Sequence, residues 1–97
     1  MIEGKVALIT GMGSGLGEGM VAVFARHGAK IVGCDRNGGS GQAVIDRVIS
    51  GGAEAVFVKC DVSREDEVEA MAAQAVERYG RVDVLVNNAG VNYASPF

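Results

Sequence analysis

With 97 residues and a formal net charge of −3, the chain can form one small domain and lacks the basic surplus that a nucleic-acid or anionic-membrane surface needs. Its composition, 48% hydrophobic and 22% charged, is that of a soluble globular protein, and no apolar run is long enough to span a bilayer. The sequence passes from Met1 straight into a strand pattern without the layout of a leader peptide, so a cytoplasmic location is expected.

In chain order, Lys5 to Thr10 reads as a buried strand, a short apolar run closed by a turn signal. From Gly15 to Arg26 the spacing becomes helical, with Leu16, Met20, Val23, Phe24 and His27 expected on one face and Gly28 as the stop. Lys30 to Cys34 is the second strand. Arg36 to Gly41 (RNGGSG) reads as a glycine-rich loop, and Val44, Ile45, Val48 and Ile49 mark a short helix ended by Gly51 and Gly52. Ala55 to Cys60 is the third strand. Ser63 with Asp66 three residues on resembles a helix-capping box. Val68, Met71, Ala72, Ala75, Val76 and Tyr79 form a helical stripe ended by Gly80, and Val82 to Val86 is the fourth strand, followed by NNAG at 87–90.

This alternation has no linker and no internal repeat, and it predicts an α/β fold: a doubly wound parallel sheet of strand order 3-2-1-4. The first two helices should cover one face and the third the other. Cys34 and Cys60 make neither a disulfide framework nor a metal-ligand cluster and are expected as buried free thiols. The single histidine, His27, is expected in a surface or capping role.

The stretch TGMGSGLG, Thr10 to Gly17, holds four glycines in eight residues between the first strand and the first helix. A helix N-terminus offers free N–H groups and a positive dipole end, and glycines let the backbone approach a phosphate closely. The frame is not GxGxxG, and no Lys-Ser or Lys-Thr pair follows to make a GxxxxGK[ST] loop; Gly11, Gly15 and Gly17 fit TGxxxGxG instead. Asp35 closes the second strand, 18 residues after Gly17, where a carboxylate can accept from both ribose hydroxyls and repel a 2′-phosphate. Asp61 closes the third strand and can accept from an adenine amino group.

TGMGSGLG, then CDR, CDV and NNAG, in that order, resemble the N-terminal half of the short-chain dehydrogenase/reductase family over nearly the whole chain, which implies a partial Rossmann-like fold and a single dinucleotide-binding domain without its C-terminal half. By that resemblance Gly11, Ser14, Gly15, Leu16 and Gly17 line the pyrophosphate, with Gly13 also counted among the cofactor-binding residues. Asp35 takes the adenosine ribose. Asp61 and the Val62 backbone take adenine, and Asn88, Ala89 and Gly90 pass beneath the riboses. Thr10 and Asn87 tie neighbouring strands. Ser14, where NADP-preferring relatives often carry a basic residue, and the acid at Asp35 both favour NAD. Arg36 is the departure, able to pair a 2′-phosphate, stack on adenine or remain solvated.

The resemblance also implies hydride transfer between the nicotinamide and an alcohol or ketone, by a tyrosine with a lysine four residues later, a serine and an asparagine. A nearby lysine cation lowers the tyrosine pKa. Here Tyr79 is followed at that spacing by Asp83 and is expected in the core, and Tyr93 lies four residues from the end, so no catalytic residue is assigned. The fourth strand is apolar on both faces yet an edge in order 3-2-1-4, so a missing half, a second fragment or another copy of the chain is expected to pair with it. A nucleotide-binding module without chemistry and a structural remnant are the alternatives.

Overall fold

The computed structural model describes residues 2–13 and 15–88. Four strands alternate with three helices: β1 (Val6–Thr10), α1 (Gly15–Arg26), β2 (Lys30–Asp35), α2 (Gly38–Ser50), β3 (Ala55–Lys59), α3 (Glu65–Tyr79) and β4 (Val84–Asn87). The strands pair in parallel in the order β3-β2-β1-β4, with Ile9 opposite Gly33 on one side and Val86 on the other. This is the expected partial Rossmann-like sheet.

Alternate strand residues feed two cores. Ala7, Ile9, Ile31 and Ala55 pack with Val21 of α1 and Val44 and Ile45 of α2. Val6, Leu8, Val32, Cys34 and Val58 face the other way, against Met71 and Ala75 of α3. Two covered faces explain why the strands read as continuous apolar runs. Both cysteines are buried free thiols, and the Cys34 thiol donates to the Cys60 carbonyl at 3.7 Å. Burial pushes both thiols up from their ordinary range. Tyr79 packs at the α3 core with the Lys30 ammonium 5.7 Å from its ring centre, at the start of β2 and so at the far end of the sheet from the glycine loop.

Four local expectations need correction. On α1 the buried residues are Gly17 and Val21, while Leu16 is 67% and Val23 41% exposed. The inward face is turned by about one residue from the apolar stripe, because Gly17 must lie against β1. The segment 38–41 is the first turn of α2 rather than loop: the Ser40 N–H donates to the Asn37 side chain at 3.1 Å, and this cap starts the helix. A side chain at Gly41 would collide with Phe57, so that glycine serves packing. Ser63 does not cap α3. Its N–H and hydroxyl both donate to Asp61, and Arg64 takes the cap position without a side-chain bond. Glu65, Asp66 and Glu67 still suit the positive end of that helix. Finally, β4 begins at Val84, with Leu85 64% exposed at the sheet edge.

The start of β4 is clamped to β1 by Asp83. Its Oδ2 accepts the Val6 N–H at 2.8 Å and the Arg81 Nε–H at 2.8 Å, while its own N–H donates to the Val6 carbonyl. The Val6 bond, then the Arg81 bond and the nearby cations, hold this carboxyl below its ordinary value of 3.8. A lowered folded-state pKa means that the unfolded chain binds the extra proton first, so this stabilisation is complete above about pH 4 and is lost as the pH falls through the folded value. Urea unfolding of Asp83→Asn should show lower stability at neutral pH and a shallower loss than the parent chain as the pH falls below about 4. An unchanged acid slope would remove Asp83 from this role.

Candidate functional site

The candidate site lies at the carboxyl ends of β1, β2 and β3, beside the β1–β4 boundary at which the order of a doubly wound sheet reverses. β1 ends at Thr10, whose hydroxyl donates to Asn87 Oδ1 at 3.2 Å and so ties β1 to β4 as expected. Gly11 then turns at φ 61° and Gly15 at φ 59°, left-handed values that disfavour any side chain. Between them Met12 is fully buried, and its N–H donates to the Cys34 carbonyl at 3.3 Å, which pins the loop to β2. The loop delivers the chain into α1, whose first-turn N–H groups have no intrahelical acceptor.

Gly17 sits where the helix meets the strand. A β-carbon there would run into the Gly11 carbonyl oxygen and lie 2.7 Å from Asn88 Nδ2. That Asn88 amide donates to the same carbonyl at 3.0 Å, and its Oδ1 is buried with no partner among the described residues. Gly11, Gly17 and Asn88 are therefore one contact. Leu16 stands exposed beside it. Glu18, the acid in the first turn of α1, is drawn off by Arg47 of α2 at 2.7 Å, which offsets its negative charge at the helix N-terminus.

Asp35 ends β2 with both oxygens engaged: Oδ2 accepts the Gly13 N–H at 2.9 Å and Oδ1 the Asn37 N–H at 2.7 Å. Gly13 is buried beneath it. Asp61, just after β3, accepts the Ser63 hydroxyl at 2.7 Å and the Ser63 N–H at 3.0 Å, and its backbone N–H donates to Glu67 Oε1 at 2.9 Å. The Ser63 bonds, helped by the Arg36 and Arg64 cations, hold its carboxyl below the usual value. Val62 and Arg36 are exposed at the same rim. Ser14, Ala89, Gly90 and Tyr93 lie outside the described residues.

A bare loop, a helix N-terminus, a carboxylate at the end of the neighbouring strand and an orphaned buried amide oxygen together fit an adenosine diphosphate group. Asn37 and Ser40 were hidden from sequence reasoning. The available signal was an asparagine three residues before the serine N–H that it caps, masked by the glycines around it.

Loop and sheet together define a Rossmann-like α/β protein. Within that class the chain belongs to the short-chain dehydrogenase family, whose model matches residues 5–97. It is similar to the 7alpha-hydroxysteroid dehydrogenase of Escherichia coli K12, with 40% identity over 96 residues, 99% of this chain and 38% of the relative. The chain thus spans less than two fifths of that relative's length. A short-chain dehydrogenase/reductase from Burkholderia phymatum, solved in complex with NAD, superimposes at a TM-score of 0.86 with 39% identity, over 87% of this chain and 30% of the other. A metagenomic short-chain oxidoreductase solved in complex with NADP also gives a TM-score of 0.86, with 36% identity over 92% of this chain and 40% of the other.

Gly17→Ala should cost about 1–3 kcal/mol in urea unfolding, because backbone rather than a flexible side chain fills the space. Gly19→Ala, two residues on in the same helix and facing open space, should stabilise by about 0.5–1 kcal/mol. Equal effects at the two positions would contradict the close approach.

Proposed function

We propose that this chain is the dinucleotide-binding part of an NAD(H)-dependent oxidoreductase acting between an alcohol and a ketone. The observation that carries the reading is the left-handed Gly11 and Gly15 turn with Gly17 packed on the Gly11 carbonyl, next to a carboxylate at the end of β2. Family membership and the NAD-bound relative support it.

In this reading the backbone of Gly11, Gly13, Gly15 and Gly17, with Ser14 and Leu16, cradles the pyrophosphate. Asp35 accepts from the ribose hydroxyls, and Asp61 and the backbone of Val62 meet adenine. Asn88, Ala89 and Gly90 underlie the riboses, and Asn88 brings an acceptor that has no partner among the described residues. Asp35 favours NAD, since its carboxylate repels a 2′-phosphate, while Arg36 stays at the rim beside Asp61. The nicotinamide, when bound, supplies or accepts the hydride. The serine, tyrosine and lysine that handle the substrate proton are assigned to residues outside these 97, because the sequence contains no Tyr-x-x-x-Lys pair. That same lack favours, as a second reading, a nucleotide-binding module without chemistry. Pairing at the open side of β4, by a complementary segment or a second copy, and a cytoplasmic location belong to the proposal. No helix among the described residues is long and apolar enough to cross a membrane.

Calorimetric titration of the chain tests the reading. NAD should bind at least about tenfold more tightly than NADP, and the chain alone should not oxidise an alcohol. NADP binding as tight as NAD would overturn the cofactor preference. Absence of saturable binding by either would overturn the dinucleotide site, and turnover by the isolated chain would overturn the assignment of the chemistry to other residues.

A further inference from the structure

Asp35 joins three elements through one carboxylate. The Gly13 bond crosses from the end of β2 to the loop after β1, and the Asn37 bond holds the residue that caps α2. The loop is shaped for this contact. A β-carbon on residue 13 would lie 2.9 Å from Asp35 Oδ2 and 2.7 Å from Ser40 Oγ, so a side chain there would push the carboxylate or the hydroxyl aside from its present place. Each carboxylate oxygen has two lone-pair sites. Among the described residues one N–H reaches each oxygen, which leaves one site per oxygen for the two vicinal hydroxyls of a ribose.

We propose that Asp35 is a positioning residue for the phosphate loop as well as an acceptor for the ribose, so that the adenosine end of the ligand and the grip on its diphosphate are coupled through one side chain. This rests on the dinucleotide reading above. When a ribose donates to the open sites, it holds the carboxylate in the orientation that keeps Gly13, and with it the path of the backbone toward α1. A 2′-phosphate forces the carboxylate aside and releases Gly13 as well, so discrimination against it exceeds simple charge repulsion.

The test compares the parent chain with Asp35→Asn and Asp35→Ala. Its probes are inorganic pyrophosphate, which has no ribose; adenosine, which has no phosphate; and NAD. Amide hydrogen exchange at Gly13 is followed by NMR. Coupling predicts that Asp35→Ala speeds Gly13 exchange about tenfold, the loss expected for a charge-assisted bond, and weakens pyrophosphate about five- to tenfold alongside adenosine. Asp35→Asn, which keeps one acceptor oxygen, should fall between. A loss confined to adenosine and NAD, with pyrophosphate binding and Gly13 exchange unchanged, overturns the coupling and leaves the dinucleotide reading standing. Protection of Gly13 that depends on Asp35 in a chain that binds no NAD overturns the dinucleotide reading and supports the positioning role. Equal acceleration at the buried Ile31 and Val32 amides in both variants would be general unfolding and would overturn the positioning role.

Discussion

The carbonyl oxygen of Gly11 occupies the space that a β-carbon on residue 17 would need, and the rest of the molecule is arranged around that approach. With Gly17 against the end of β1, the rotation of α1 follows: Val21 turns into the core one turn later and Leu16 turns out. Asn88 completes the contact from β4 by donating to the same carbonyl. A helix that starts this close to its strand points its unpaired N–H groups over the strand ends, where Asp35 and Asp61 also stand.

Much of this was legible from the residues. Apolar runs between glycine stops marked all four strands, and the alternation of elements implied the 3-2-1-4 order through the handedness of parallel crossovers. The rotation of α1 was not legible, because hydrophobic periodicity weighs Leu16, Met20 and Val23, whereas the packing is decided by the absence of a side chain at position 17. The start of α2 was hidden for a related reason. Gly38, Gly39 and Gly41 read as loop by composition, but the Asn37 cap and the Phe57 ring against Gly41 favour helix. Ser63 misled in the opposite sense: as a cap its hydroxyl oxygen would accept an N–H of the first turn, whereas here the hydroxyl donates to Asp61.

At the site, the glycine spacing and the acids at the strand ends stood out from the sequence. Their mutual contacts did not. Gly13 and Asp35 are 22 residues apart and Gly11 and Asn88 are 77 apart, distances over which no local pattern operates. The exposed apolar residues follow the same logic. Leu16, Val76 and Leu85 are 67%, 51% and 64% exposed, on a chain that corresponds to 38% of its 7alpha-hydroxysteroid dehydrogenase relative. They stand on α1, α3 and β4, and local periodicity, which marks an apolar stripe, does not by itself say which of its members the tertiary packing buries.

The links that hold β4 have an implication for how the chain assembles. Asp83 to Val6, Thr10 to Asn87 and Asn88 to Gly11 each close a loop of about the same great length, 77 residues apart. The β1–β2 and β2–β3 pairs close much shorter loops through one helix each, so the entropy of closure favours building the three-stranded part first and docking β4 last. Because the final link runs to the Gly11 carbonyl, the glycine loop acquires its last support only when the final strand arrives. A ligand selective for the finished loop would therefore act as a kinetic gauge of completed folding, distinguishing chains with β4 in place from those still open along β1.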